Sequence, residues 1–161
     1  MKLIILIAFL LIDNAFRIDY IAEHRIDNFN INSKRIAINY YDPISFYNNK
    51  PQIGLESIAF SYNGIIYTFA NEANKEKFIE KFRAIEPRFG GWCAYSISEG
   101  KKVDFNPKYY AIINDSLYLF SSAEKMNLFQ KDYDHLQKLA WSEWVKILPT
   151  FNPKDSIFRV K

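Results

Sequence analysis

The fold is decided at residues 57–70, which read SIAFSYNGIIYTFA. Two runs of strand-favouring residues flank Asn63-Gly64, a pair that tolerates the positive φ angles of a type I′ turn. Apolar side chains alternate along both runs and share one face of the ribbon; they are Ile58, Phe60, Tyr62, Ile65, Tyr67 and Phe69. An apolar face needs a cover, so the stretch predicts an antiparallel hairpin packed against another element.

The next segment predicts the helix that covers this hairpin. Asn71 is a favourable N-cap, Glu72 places negative charge in the first turn, and Pro87 stops the helix. Apolar residues recur between them at close to helical spacing, at Ala73, Phe78, Phe82 and Ile85.

The second half of the chain predicts another hairpin and further helices. A short helix is predicted at residues 93–99, and Gly100 ends it. A second hairpin is predicted with its strands at residues 109–113 and 117–120. Ser121 and Glu124 fit a capping box that opens a short helix. A longer helix follows from Asp132 or Asp134, and its predicted core stripe contains Leu136, Leu139, Ala140, Trp144, Ile147 and Leu148.

These elements predict a single compact α+β domain, with two antiparallel β-hairpins covered by about three or four helices. A length of 161 residues fits one domain with a substantial core. We assign the domain to residues 16–148, with an N-terminal extension that becomes a strand near 35–40. Residues 149–161 are assigned to a C-terminal tail.

The N-terminus reads as an export signal. Lys2 precedes an apolar run over 3–12, and Ala15 is the small residue before a cleavage point, which predicts a signal peptide at 1–15. The run is too short to cross a membrane, so no transmembrane helix is expected in the mature chain. Export places the protein in the periplasm or outside the cell; the alternative is an uncleaved segment that anchors the chain to a membrane.

Charge and composition exclude two classes. The 14 Phe and 11 Tyr argue for a packed aromatic core and against disorder. The net charge is only +3, and the basic residues are interspersed with acids, so no nucleic-acid partner is expected. The sequence also lacks the patterns of a catalytic serine, of paired catalytic carboxylates and of a phosphate loop.

The single cysteine, Cys93, is the main candidate for chemistry. An unpaired cysteine in an oxidising compartment is buried, reactive, bound to a ligand or used between chains. The preceding Gly90-Gly91 turn, a helix beginning near Ala94 and the charge of Arg88 would favour a reactive thiolate. Alternatively, Cys93 packs as a small hydrophobe beside Trp92.

Two kinds of ligand are considered for this segment. Gly90, Gly91, Trp92 and Cys93 are the candidate ligand-binding residues, because Trp92 lies beside glycine and cysteine. A copper or zinc site would use Cys93 with His135, and His24, Met126 or a carboxylate would have to complete it.

Four motifs, in this order and spacing, resemble the YHS-domain proteins, in particular their exported stand-alone branch. The motifs are YDPISF at 41–46, the hairpin at 62–70, Phe78 and RFGGWCA at 88–94. The resemblance implies a compact α+β unit, and it implies that some relatives carry selenocysteine where Cys93 stands.

The chain also departs from this family. Shorter YHS modules on metal-transport proteins carry cysteines at positions that here hold Ser45, Ala70 and Asn74. These residues are poor ligands for soft metals, so metal binding through the hairpin does not transfer to this chain.

The sequence therefore predicts an exported binding module, not an enzyme, whose site centres on Cys93 and takes a metal or a small ligand. One alternative is a redox protein with Cys93 as nucleophile, which needs an external thiol because no second cysteine exists. The other is a structural or partner-binding domain in which Cys93 is buried.

Overall fold

The computed structural model describes residues 24–147. Its helices and strands are α1 (24–28), α2 (Pro43–Tyr47), β1 (Leu55–Tyr62), β2 (Ile65–Phe69), α3 (Glu72–Ile85), α4 (Ala94–Ser98), β3 (Tyr110–Ile113), β4 (Ser116–Leu119), α5 (Ala123–Lys131) and α6 (Tyr133–Ile147). The strands form two antiparallel two-stranded sheets, β1-β2 and β3-β4, within one α+β domain. The predicted fold class is confirmed, whereas the predicted signal peptide and tail lie outside the described residues.

The first hairpin has the predicted turn. Tyr62 pairs with Ile65, and Asn63 and Gly64 between them have φ angles of 44° and 80°. Positive φ at both central positions is what a type I′ turn requires. The register slips between Leu55 and Ala59, so that the ribbon is irregular at the end far from its turn.

Helix α3 covers the apolar face of this hairpin, as predicted. The Asn71 side chain accepts a hydrogen bond from the backbone N–H of Asn74 at 2.9 Å and so caps the helix. Phe78 is only 1% exposed, and its ring centroid lies 4.8 Å from Tyr67 and 5.2 Å from Phe69. This aromatic cluster fixes the helix on the ribbon.

Helix α5 packs on the second hairpin, and α6 packs mainly on α4. Phe129 of α5 contacts Tyr118 and Phe120 with ring centroids 5.5 and 5.4 Å apart, and Trp144 of α6 lies 5.8 Å from Phe29. Leu139 departs from the predicted stripe, because it is 39% exposed. Each helical residue turns about 100°, so a stripe centred on Ala140 leaves Leu139 at its edge.

A partly buried ionic contact holds α1 to the end of α3. Arg25 pairs with Glu86, which also accepts a hydrogen bond from the Tyr67 hydroxyl at 2.5 Å. The Arg25 guanidinium lies 4.2 Å from the ring centroid of Phe29. Burial is the largest cause that raises the pKa of Tyr67 well above its ordinary value, and the negative charge of Glu86 adds to it.

Two local predictions are wrong. Residues 35–40 do not form a strand, because Arg35, Ile38, Asn39 and Tyr40 all have left-handed φ angles between 44° and 67°. Such angles coil the chain into a 3₁₀ turn at Ile38–Tyr40. The N-cap of α5 is Ser122 and not Ser121, since the Ser122 hydroxyl accepts from the Lys125 N–H at 3.3 Å.

Within residues 24–147 no helix is long and apolar enough to cross a membrane, and α6 has only 15 residues.

Candidate functional site

Cys93 lies in the core at the N-terminus of α4. Its side chain is 0% exposed, and its backbone N–H donates to the Val103 carbonyl at 2.9 Å. The Ser121 hydroxyl donates to the sulfur at 3.5 Å, which is a weak hydrogen bond. The thiol is therefore enclosed by the fold and not presented to solvent.

Two features were expected to activate the Cys93 thiol. The helix that begins beside it is short, and Arg88 contacts other residues. Helix α4 has five residues, so the field at its N-terminus is weaker than that of a long helix. The Arg88 guanidinium donates through Nη2 to the Ser116 hydroxyl at 2.6 Å, and it lies 5.9 Å from the Trp141 ring centroid. Arg88 thus contacts the second hairpin and α6.

The predicted ligand-binding residues do lie together, but they pack against the chain itself. Gly90 and Gly91 are buried, and their carbonyls accept from the backbone and the side chain of Asn30 at 2.9 and 3.2 Å. The Trp92 indole N–H donates to the Asn28 carbonyl at 2.7 Å. Segment 28–30, which the sequence did not single out, fills the place where a ligand was expected.

The proposed metal pair joins two different environments. Cys93 is fully buried, whereas His135 is exposed on α6. In the described part of the chain, no group of three or more His, Cys, Asp or Glu side chains is placed to hold a metal ion. A copper or zinc ion at Cys93 and His135 would therefore find no third ligand of these types between residues 24 and 147.

The positions that the YHS resemblance equates with cysteines converge on one buried carboxylate. Asp42 is 0% exposed, and its Oδ2 accepts from the Ala70 N–H at 2.9 Å and from the Asn74 amide at 2.6 Å. Its Oδ1 accepts from the Ile44 N–H at 2.8 Å, and its carbonyl accepts from the Ser45 hydroxyl at 2.6 Å. A buried hydrogen-bonded cluster occupies this place, and three protein donors bind its carboxylate.

An open groove of about 510 Å³ lies between α2, α3 and the turn of the second hairpin. Its buried apolar floor includes Ile44 and Ile85, and its remaining lining consists of Tyr47, Lys77, Glu80, Lys81, Ala84 and Asp115.

A hydrogen bond joins two of the elements that line the groove. The Tyr47 hydroxyl donates to the Asp115 carbonyl at 3.0 Å. Burial raises the pKa of Tyr47 to about 12, so its hydroxyl is neutral at physiological pH. The wall formed by α3 bends at Lys81, where φ is −128° and ψ is 23°.

Sequence reasoning missed this groove. Its lining comes from three elements that are separated along the chain, and none of these residues forms a local motif. The sequence predicted helix α3 and the second hairpin, but it did not indicate that these two elements meet α2 around a groove.

Neither a protein-family model, nor a curated protein, nor a solved structure matches this chain.

Proposed function

We propose that the protein is an exported, non-enzymatic binding domain of YHS type that takes a small organic ligand in the groove between α2 and α3. Cys93 belongs to the core in this proposal. The proposal rests on the difference in exposure between two places. A groove of about 510 Å³ is open to solvent, whereas the Cys93 side chain is 0% exposed.

The size and chemistry of the groove support a small ligand. Pockets for small molecules commonly measure about 300–1,000 Å³ and combine an apolar lining with a few polar groups. Ile44 and Ile85 supply the apolar floor. Lys77 and Lys81 form no ion pair with any residue of the described part, so their charges are available to a ligand.

The charges around the groove are balanced, with two lysines, one glutamate and one aspartate in the lining. This balance argues against a strongly charged polymer as the occupant. It favours a ligand with an apolar body and polar groups at its ends.

Sequence order and geometry support the YHS part of the proposal. The hairpin, its covering helix and the RFGGWCA segment follow one another as the resemblance implies. Ser45, Ala70 and Asn74 surround Asp42, so positions equated with a metal cage are close in space. Export is supported by the apolar run at 3–12, which follows Lys2.

The rival functions centred on Cys93 require the core to open. Thiol–disulfide exchange needs direct attack on sulfur, and an external thiol has no access to a side chain that is 0% exposed. A metal site would need further ligands beside Cys93 and His135. The buried position of Cys93 thus argues against both the redox function and the metal site.

The groove can be tested with two matched variants of α3. Ala84 and Ala73 are both exposed on this helix, but only Ala84 lines the groove. We expect the wild type and Ala73→Phe to bind the fluorescent probe anilinonaphthalene sulfonate saturably with one site. Ala84→Phe fills the groove and should weaken this binding by about tenfold or more. Absence of saturable binding to the wild type, or equal binding by both variants, would contradict the proposal.

A further inference from the structure

Arg88 is a partly buried cation without a carboxylate partner among residues 24–147. The ion pairs of the described part join Arg25 to Glu86, Lys34 to Glu56, Lys75 to Glu72 and Lys146 to Glu143. A charge removed from water is costly unless it is paired and hydrogen-bonded. Arg88 therefore differs from Arg25. The charge of Arg25 is balanced by Glu86, whereas no carboxylate within residues 24–147 forms an ion pair with Arg88.

Most hydrogen-bond donors of Arg88 are unused. A guanidinium carries five N–H donors, and within the described residues only Nη2 donates, to the Ser116 hydroxyl at 2.6 Å. The Nε of Arg88, like that of Arg25, is buried without a partner among the described residues. Ser116 is itself 4% exposed, so the group that orients Arg88 is fixed in the second hairpin.

Among the described residues, the groups that contact Arg88 are neutral, and Asp115, which precedes Ser116, forms no ion pair with it. One side is the Trp141 ring, and the Tyr118 and Tyr133 hydroxyls lie 3.1 Å apart nearby. Burial is the largest cause that raises the pKa of the Tyr118 hydroxyl. The positive charge of Arg88 opposes this rise but does not cancel it. The phenol thus stays protonated, and no phenolate balances the guanidinium.

We propose that Arg88, oriented by Ser116 and backed by the Trp141 ring, binds a small oxyanion, either a carboxylate or a phosphate group. The planar fork of a guanidinium matches two oxygens of such a group, and its flat face stacks on an aromatic ring. The site lies near the groove, because the Arg88 charge acts on Tyr47 and partly offsets the raised pKa of this lining residue. The two sites are independent, since neither requires the other to be occupied.

The Nε–Hε resonance of Arg88 in an NMR titration tests the site directly on the whole chain. We add sodium phosphate, and in a second series sodium acetate, against sodium chloride at equal ionic strength. The Arg88 resonance should shift saturably with phosphate, with acetate or with both, which also identifies the anion class. The Arg25 resonance is an internal control and should not move, because Glu86 already pairs with it. Lack of a saturable shift, or an equal shift with chloride, overturns the proposal.

A pair of variants gives a second measurement. Arg88→Gln and Arg35→Gln remove the same charge, but Arg35 is exposed. The anion that shifts the resonance should raise Tm of the wild type and of Arg35→Gln, but not of Arg88→Gln. Equal loss of the effect in both variants would overturn the proposal, and the titration decides alone if Arg88→Gln does not fold. Probe binding in the groove should persist in Arg88→Gln, which separates the two proposals.

Discussion

Asn74 donates its side-chain amide to the carboxylate of Asp42, with 2.6 Å between Nδ2 and Oδ2. Asp42 caps α2, and Asn74 lies in the first turn of α3, so a contact between residues 32 positions apart joins the two helices. The same carboxylate oxygen accepts from Ala70 at the end of the first hairpin. One buried side chain thus fixes the hairpin and both walls of the groove.

Replacement of Asp42 by alanine should destabilise the protein strongly. The change leaves the Ala70 N–H and the Asn74 amide without an acceptor in the core, and it removes the cap that accepts from the Ile44 N–H. The two unsatisfied buried donors cost about 2–6 kcal/mol in the free energy of unfolding. The lost cap adds about 0.5–2 kcal/mol. Urea denaturation measures it. Glu56→Ala, which removes an exposed ion pair with Lys34, serves as the control and should leave the midpoint unchanged.

Replacement of Gly91 by alanine should cost more than replacement of Gly100. Both glycines have left-handed φ angles, 84° and 70°, so both changes carry a similar backbone strain of about 1–2 kcal/mol. A Cβ at Gly91 would lie 2.5 Å from Ile38 Cγ2, whereas at Gly100 the nearest atom is Glu143 Oε2 at 3.5 Å. Overpacking should therefore add about 1–3 kcal/mol at Gly91 alone. Equal losses in thermal or urea unfolding would show that the packing around Gly91 is looser than the structure indicates.

The Cys93 thiol should react with a thiol-specific reagent only when the protein unfolds. Its side chain is 0% exposed and lies in the core. We expect the labelling rate to be negligible in native buffer and to rise with the unfolded fraction in urea. The comparison protein is the double variant Cys93→Ser with Ala73→Cys, whose exposed thiol should react at once. Rapid native labelling of Cys93 would revive the redox interpretation.

Alkaline pH should destabilise the protein partly through Tyr67. Its folded pKa lies well above the ordinary value, so the native state keeps a proton that the unfolded chain releases above about pH 10. The unfolding free energy should therefore be insensitive to this group below about pH 9 and fall as pH rises beyond about 10.

Tyr67→Phe measures this contribution. The variant loses the hydrogen bond to Glu86, which should cost about 1.5–3 kcal/mol near neutral pH. Its decline above pH 10 should be shallower than that of the wild type, although Tyr47, with a pKa of about 12, still contributes a slope. Urea unfolding at a series of pH values gives both quantities. Parallel curves for the two proteins would show that Tyr67 does not titrate as the buried environment requires.

The groove and the proposed anion site show why the fold could be predicted from the sequence more easily than the function. Asn63-Gly64 and the Asn71 cap act through neighbours within a few residues, so they could be read directly from the chain. Arg88 was assigned to Cys93, five positions away, but the fold directs its guanidinium to Ser116, 28 positions away. Side-chain direction at such a residue depends on packing and has no local signal.

By itself, the sequence determined the two hairpins, the helices that cover them and the single domain that they form. These features follow from turn chemistry, caps and apolar periodicity, which are local properties. Only the tertiary structure decided that Cys93 is enclosed, that segment 28–30 occupies the surface beside Gly90 and Gly91, and that α2 and α3 leave a groove between them. The physical reason is that burial depends on which surfaces meet after the chain has folded, and contacts such as Asp42 to Asn74 or Arg88 to Ser116 exist only once they have met.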